Sequence, residues 1–99
     1  MTDQTPRVVC VCGSMRFYEA MFAVAQDEET AGRIVLLPYP ADRSEEDLAR
    51  HHRAKIDLAD EVLVVNLGGY VGESAASEIA YATEAGKPVW YLFKEAARV

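Results

Sequence analysis

Ser74 and Glu78 stand four residues apart, just past a loop that carries Gly68, Gly69 and Gly72. On a helix that spacing puts a hydroxyl and a carboxylate on one side, next to the loop. Ala75, Ile79 and Ala82 define the buried side of the same helix, so Glu78 falls at its margin. There a carboxylate can be partly desolvated and still reach a ligand. The competing reading is a solvated glutamate stabilised by the helix dipole. The glycines either shape a pocket or simply supply positive φ.

A second stretch, Gly13-Ser14-Met15-Arg16, follows an apolar run and opens a helix. Glycine allows a tight turn there, backbone amides and the Ser14 hydroxyl can cradle an anion, and Arg16 can pair with it. The stretch is neither a Walker A loop nor a Gly-x-Gly-x-x-Gly fingerprint. A serine at a helix start is also an ordinary cap.

Further candidates are scattered. His52 lies on the apolar stripe of Leu48 and Ile56, where a histidine is either a core residue or a proton donor. His51, Arg53 and Lys55 read as exposed. Asp57 and Asp60 can face a ligand, although Asp60, at a helix-to-strand junction, can equally brace the loops. Tyr39, Tyr70 and Tyr81 can stack on a base or serve as packing aromatics. Cys10 and Cys12 share a strand face and read as reduced core cysteines, placed for neither a disulfide nor a metal. The sequence shows no metal-ligand spacing, no nucleophile elbow and no requirement for a cofactor.

The elements that must position these residues are legible from periodicity. Four short apolar runs, Arg7–Cys12, Ile34–Pro38, Val62–Asn66 and Pro88–Phe93, read as strands. Between them lie three helical patterns. The first starts near Met15 or Arg16, with Phe17, Ala20, Met21 and Val24 on one face, and breaks near Asp27 with Gly32 as a C-cap. The second starts at an N-capping Ser44 with Asp47 in the capping-box position and ends near Ala59. The third runs from about Ser74 to Ala85 with Gly86 as its cap. Residues 94–99 form a short tail.

This β-α-β-α-β-α-β order predicts a small doubly wound α/β domain with a parallel sheet and helices on both faces. The expected strand order is 2-1-3-4. Its switch point falls between the first and third strands, where the Gly13–Arg16 and Gly68–Ser74 loops would meet.

The 99 residues are 51% hydrophobic and 26% charged, which fits one globular domain and no second core. A net charge of −6 and a pI near 4.8 exclude a general nucleic-acid binder, which needs a basic face. The polar start Thr2–Pro6 and the lack of a long apolar run point to a cytoplasmic protein without a membrane span.

Taken together, the Gly13-Ser14-Met15-Arg16 turn, Ala59-Asp60 before an apolar strand, and the glycine loop leading to Glu78-Ile79-Ala80-Tyr81-Ala82 have a recognisable order. From about Arg7 to Phe93 the chain resembles the nucleoside 2-deoxyribosyltransferase-like family, which includes nucleoside 5′-monophosphate N-glycosidases. The resemblance implies cleavage of an N-glycosidic bond, by hydrolysis or deoxyribosyl transfer, with Glu78 as the nucleophile. It implies that Gly13, Ser14 and Arg16 hold a 5′-phosphate and that Ser74 to Ser77 contribute to the sugar-phosphate site. Met15, Asp60, Asn66, Gly69, Tyr70 and Gly72 complete the expected substrate-binding set.

Members often carry an acid eight positions before the aspartate matching Asp60. Here that position is His52, so His52 or Asp57 is the expected proton donor to the leaving base. Ser74, Ala75 and Ala76 also replace a more glycine-rich helix start. The family further implies a small-molecule nucleoside or nucleotide ligand and a homodimer or higher oligomer. The alternative expectation is a nucleotide-binding or signalling module without turnover.

Overall fold

The computed structural model describes residues 5–93; the expected tail at 94–99 lies outside them. Four parallel strands form one sheet in the order β2-β1-β3-β4: β1 (Val8–Gly13), β2 (Ile34–Leu36), β3 (Glu61–Val65) and β4 (Val89–Tyr91). Three helices connect them: α1 (Tyr18–Thr30), α2 (Glu45–Leu58) and α3 (Glu73–Glu84). The fold is therefore α/β with the expected strand order. None of the helices among the described residues is long and apolar enough to cross a membrane.

β1 is central because it can be. Val9, Cys10, Val11 and Cys12 are all buried, so both faces of this strand meet protein. Val11 faces Met21 and Ala25 of α1, together with Leu37 and Val65. Cys10 and Cys12 face the other way, into a cluster with Ile56, Ala59, Val62, Val64 and Ala82. One helix thus covers one face of the sheet, and α2 and α3 cover the other.

The helix ends follow local chemistry. Ser44 accepts the Asp47 backbone N–H at 3.1 Å, capping α2 as its sequence position predicts. Gly32 and Gly86 lie at φ 98° and 78°, just past α1 and α3, where a side chain would be strained.

Boundaries differ most at α1. A 3-10 turn, Met15–Phe17, precedes the helix, and the helix continues through Asp27 to Thr30. The acidic run does not break it, because those side chains have work at its end. Glu28 pairs with Arg33, and Glu29 accepts the Val35 N–H at 3.0 Å, tying the end of α1 to the start of β2.

Candidate functional site

The switch point brings the two expected loops together. β1 ends at Gly13 and β3 at Val65, which are register partners. The chain leaves β1 through Ser14 and leaves β3 through the 3-10 turn Leu67–Gly69, with Gly68 and Gly69 at φ 62° and 84°. A Cβ placed on Gly72 would lie 3.7 Å from Ser14 Cβ and 3.5 Å from the Tyr70 hydroxyl. The two loops therefore approach closely, and a side-chain carbon at Gly72 would make only ordinary contacts between them.

The Arg16 guanidinium sits 4.2 Å from the Tyr70 ring centroid, and Phe17 meets the same ring edge-on at 5.9 Å. Tyr70 therefore holds Arg16 at the mouth of the switch point, by cation–π attraction. Arg16 and Met15 are exposed, as an anion-binding turn requires. The Ser14 hydroxyl accepts the Arg16 backbone N–H at 3.3 Å, so its local role is that of a cap. Ser74 is exposed in the first turn of α3, which Gly72 begins without a side-chain cap.

Glu78 lies one turn further along α3, half-buried, with its side chain 17% exposed. Its Oε1 is 3.4 Å from His52 Nε2 on α2. Below them, on β1, Cys12 Sγ is 3.4 Å and Cys10 Sγ 3.9 Å from the same nitrogen. The site at the carboxyl side of the sheet is thus a carboxylate over an imidazole over two thiols.

Burial raises the Glu78 carboxyl above its ordinary 4.5, opposed by His52, and Cys10 raises it further. Burial alone would lower His52, yet the Cys10 thiol and the Glu78 carboxylate outweigh it and hold the imidazole above 6.5. Hydrogen bonding from Cys12 lowers Cys10 to about 6 despite its burial, and Cys12 is correspondingly pushed up. His52 Nδ1 is buried without a hydrogen-bond partner among the described residues.

Three expected site residues stand elsewhere. Asp60 precedes β3 at the amino end of the sheet, where its Oδ2 accepts the Val8 N–H at 2.8 Å. It braces β1 and β3 at the end opposite the switch point. Asn66 is buried, and its side-chain amide is spent on the backbone of Phe93: Oδ1 accepts the Phe93 N–H at 2.9 Å, and Nδ2 donates to the Phe93 carbonyl at 3.2 Å. It extends the β3–β4 ladder by one side chain, and at 2% exposure it is closed off from a ligand. Asn66→Ala is expected to cost about 1–2 kcal/mol in chemical denaturation, since two part-buried backbone hydrogen bonds to Phe93 are lost. Unchanged stability would remove Asn66 from the scaffold.

Asp57 is the third. It is exposed near the end of α2, and its Oδ1 accepts the Tyr81 hydroxyl at 2.8 Å. It is committed to a helix-to-helix brace, which also explains Tyr81.

The sequence reading missed Cys10, Cys12 and Arg53. Arg53 is only half exposed, its guanidinium lies 5.9 Å from the Tyr81 ring, and its charge lowers Glu78. The i, i+2 cysteine spacing marked a shared face, but only the packing of α2 shows that His52 lies opposite it. Two surface recesses of about 260 and 380 Å³ lie away from this cluster, one around Arg7, Glu61 and Trp90, the other around Phe22, Gln26 and Tyr39. No protein-family model matches the chain, and no curated protein matches it at a significant level.

Proposed function

We propose that this protein cleaves the N-glycosidic bond of a nucleoside or nucleoside 5′-monophosphate, with Glu78 as the nucleophile. The observation that supports it is the placement of one half-buried carboxylate, backed by His52, beside the contact of the Ser14 and Gly72 loops. Ionised Glu78 attacks the anomeric carbon as it gains oxocarbenium character, and the glycosidic C–N bond breaks. The base leaves with a proton from water or from protonated His52. Water then opens the glycosyl ester, or an acceptor base does so in a transfer reaction.

In this reading Arg16, Gly13, Ser14, Met15, Gly69, Tyr70, Gly72 and Ser74 line the phosphate and sugar side and supply orientation. His52 raises the share of ionised Glu78, because its positive charge favours the carboxylate. The test is incubation with a panel of ribo- and deoxyribonucleosides and their monophosphates, read as free base by chromatography. Free base from at least one of them is expected. No release from any of them overturns the reading.

A specific observation favours a second reading, nucleotide binding without turnover. Asp57, the expected second carboxylate, is held by the Tyr81 hydroxyl and is not free to serve the leaving base. Stoichiometric heat of nucleotide binding without base release would select it.

We further propose a homodimer that completes the site. Among the described residues α1 alone covers its face of the sheet, and Trp90 and Leu92 remain 51% and 42% exposed at the β4 side. Among them, too, β2 and β4 are open edges, which a partner would shield. Sedimentation at micromolar concentration is expected to give twice the mass of 10.9 kDa. A monomeric mass overturns the dimer.

A further inference from the structure

His52 Nε2 has more neighbours than one imidazole nitrogen can bond. Cys12 Sγ at 3.4 Å, Cys10 Sγ at 3.9 Å and Glu78 Oε1 at 3.4 Å all converge on it. A ring nitrogen is one donor or one acceptor. The two sulfurs and the nitrogen also lie within 4.8 Å of one another, and both cysteines and His52 are buried. These three atoms are gathered around a common centre rather than along a chain of hydrogen bonds, and the Glu78 carboxylate stands beside the imidazole.

The separations fit a particular centre. Zinc binds thiolate sulfur at about 2.3 Å, imidazole nitrogen at about 2.0–2.1 Å and carboxylate oxygen at about 2.0–2.2 Å, so a tetrahedral site has edges of roughly 3.3–3.8 Å. The two sulfur-to-nitrogen separations fall within a few tenths of an ångström of that range. Two thiols and an imidazole select a zinc-class ion over magnesium or calcium, which take oxygen ligands. The scaffold is rigid where this matters, since both sulfurs stand on the central strand and the imidazole on α2, which packs against it.

We propose that Cys10, Cys12 and His52 bind a zinc-class divalent ion through three protein ligands, leaving the fourth position open beside Glu78. Binding forms two metal–sulfur bonds, breaks two S–H bonds and releases those protons to solvent; neutral His52 donates through Nε2. The ion enters past Glu78, whose side chain is 17% exposed against 5% for His52. His52 Nδ1 lacks the acceptor that usually orients a ligating histidine, so affinity falls short of a closed structural site by roughly 10–100-fold. The inference stands on geometry and does not rest on the glycosidase reading. Because Glu78 stands beside the site, a bound ion draws the carboxylate's charge from the substrate, and zinc inhibits any turnover.

The test uses the whole chain, reduced and stripped with a chelator, then titrated with Co²⁺ alone. One equivalent is expected to saturate the near-ultraviolet thiolate-to-cobalt charge-transfer band and the visible bands of tetrahedral cobalt, and Zn²⁺ to bleach both. Zinc is also expected to protect both thiols of the wild-type chain from a thiol-modifying reagent. Cys12→Ser and His52→Ala should each weaken binding by roughly 10-fold or more. A wild-type chain with no saturable cobalt spectrum and no zinc protection of its thiols overturns the site, as does a Cys10→Ser/Cys12→Ser variant with wild-type circular dichroism and wild-type affinity. Should the variants unfold, thiol protection in the wild-type chain decides alone. Base release is assayed separately on stripped protein, so a failed glycosidase assay leaves the metal result standing.

Discussion

Glu78→Gln leaves the fold intact and lowers base release by on the order of 10⁴-fold or more, the scale seen when a nucleophile is removed from an otherwise assembled site. Glutamine keeps the size of glutamate and can still bond His52, so circular dichroism and thermal unfolding should stay near wild type. What disappears is the electron pair that forms the glycosyl ester. Turnover retained by Glu78→Gln would refute the assigned role. In chelator-treated wild-type protein the rate should fall on the acid side with a midpoint above 4.5, because burial raises the Glu78 carboxyl and only its ionised form attacks. The sign is fixed by the group: protonation at low pH removes the nucleophile, and a raised pKa moves that loss to higher pH.

Gly13→Ala is expected to be the most damaging small change to the fold. An added Cβ would stand 2.9 Å from the Val65 carbonyl oxygen and 3.1 Å from Met21 Sδ. The methionine can shift, but the carbonyl belongs to the neighbouring strand. Relief therefore requires β1 and β3 to separate where the switch point forms. Overpacking of this kind costs about 1–3 kcal/mol, and a backbone clash puts Gly13 at the upper end. In a domain of this size that lowers the melting temperature by roughly 10–20 °C. A Gly13→Ala protein that melts with the wild type would show that the close approach of β1 and β3 carries no weight. The glycine thus serves strand packing as well as the tight turn read from the sequence.

The sheet was legible because its signals are local and mutually restrictive. Four apolar runs joined by helical periods allow few topologies once crossovers must be right-handed, and β2-β1-β3-β4 is one of them. Ser44, Gly32 and Gly86 announced their helix ends for the same reason, since a cap acts within a few residues. The end of α1 was misjudged because Glu28 and Glu29 look like a polar break, while their partners Arg33 and Val35 lie beyond the turn.

At the site, Gly13, Ser14, Gly72 and Glu78 were placed by topology alone. Asp57, Asp60 and Asn66 were not, because a polar side chain near a loop looks the same whether it faces a ligand or the backbone. Only the fold reveals that Tyr81, Val8 and Phe93 hold them. The convergence of Cys10, Cys12 and His52 was likewise hidden, since it depends on which face of α2 meets which face of β1.

The all-parallel pairing carries a kinetic consequence. Val8 pairs with Ile34, Val9 with Glu61 and Val62 with Val89, so no strand has a neighbour supplied by a tight hairpin. The central strand leaves the ribosome before the other three, yet one side of it waits for β3. Until then its apolar residues have only half their shelter. Each closure must spend loop entropy before any contact repays it, which slows folding relative to helical chains of this length. The strand that anchors the finished sheet is, during synthesis, the segment longest exposed to misassociation.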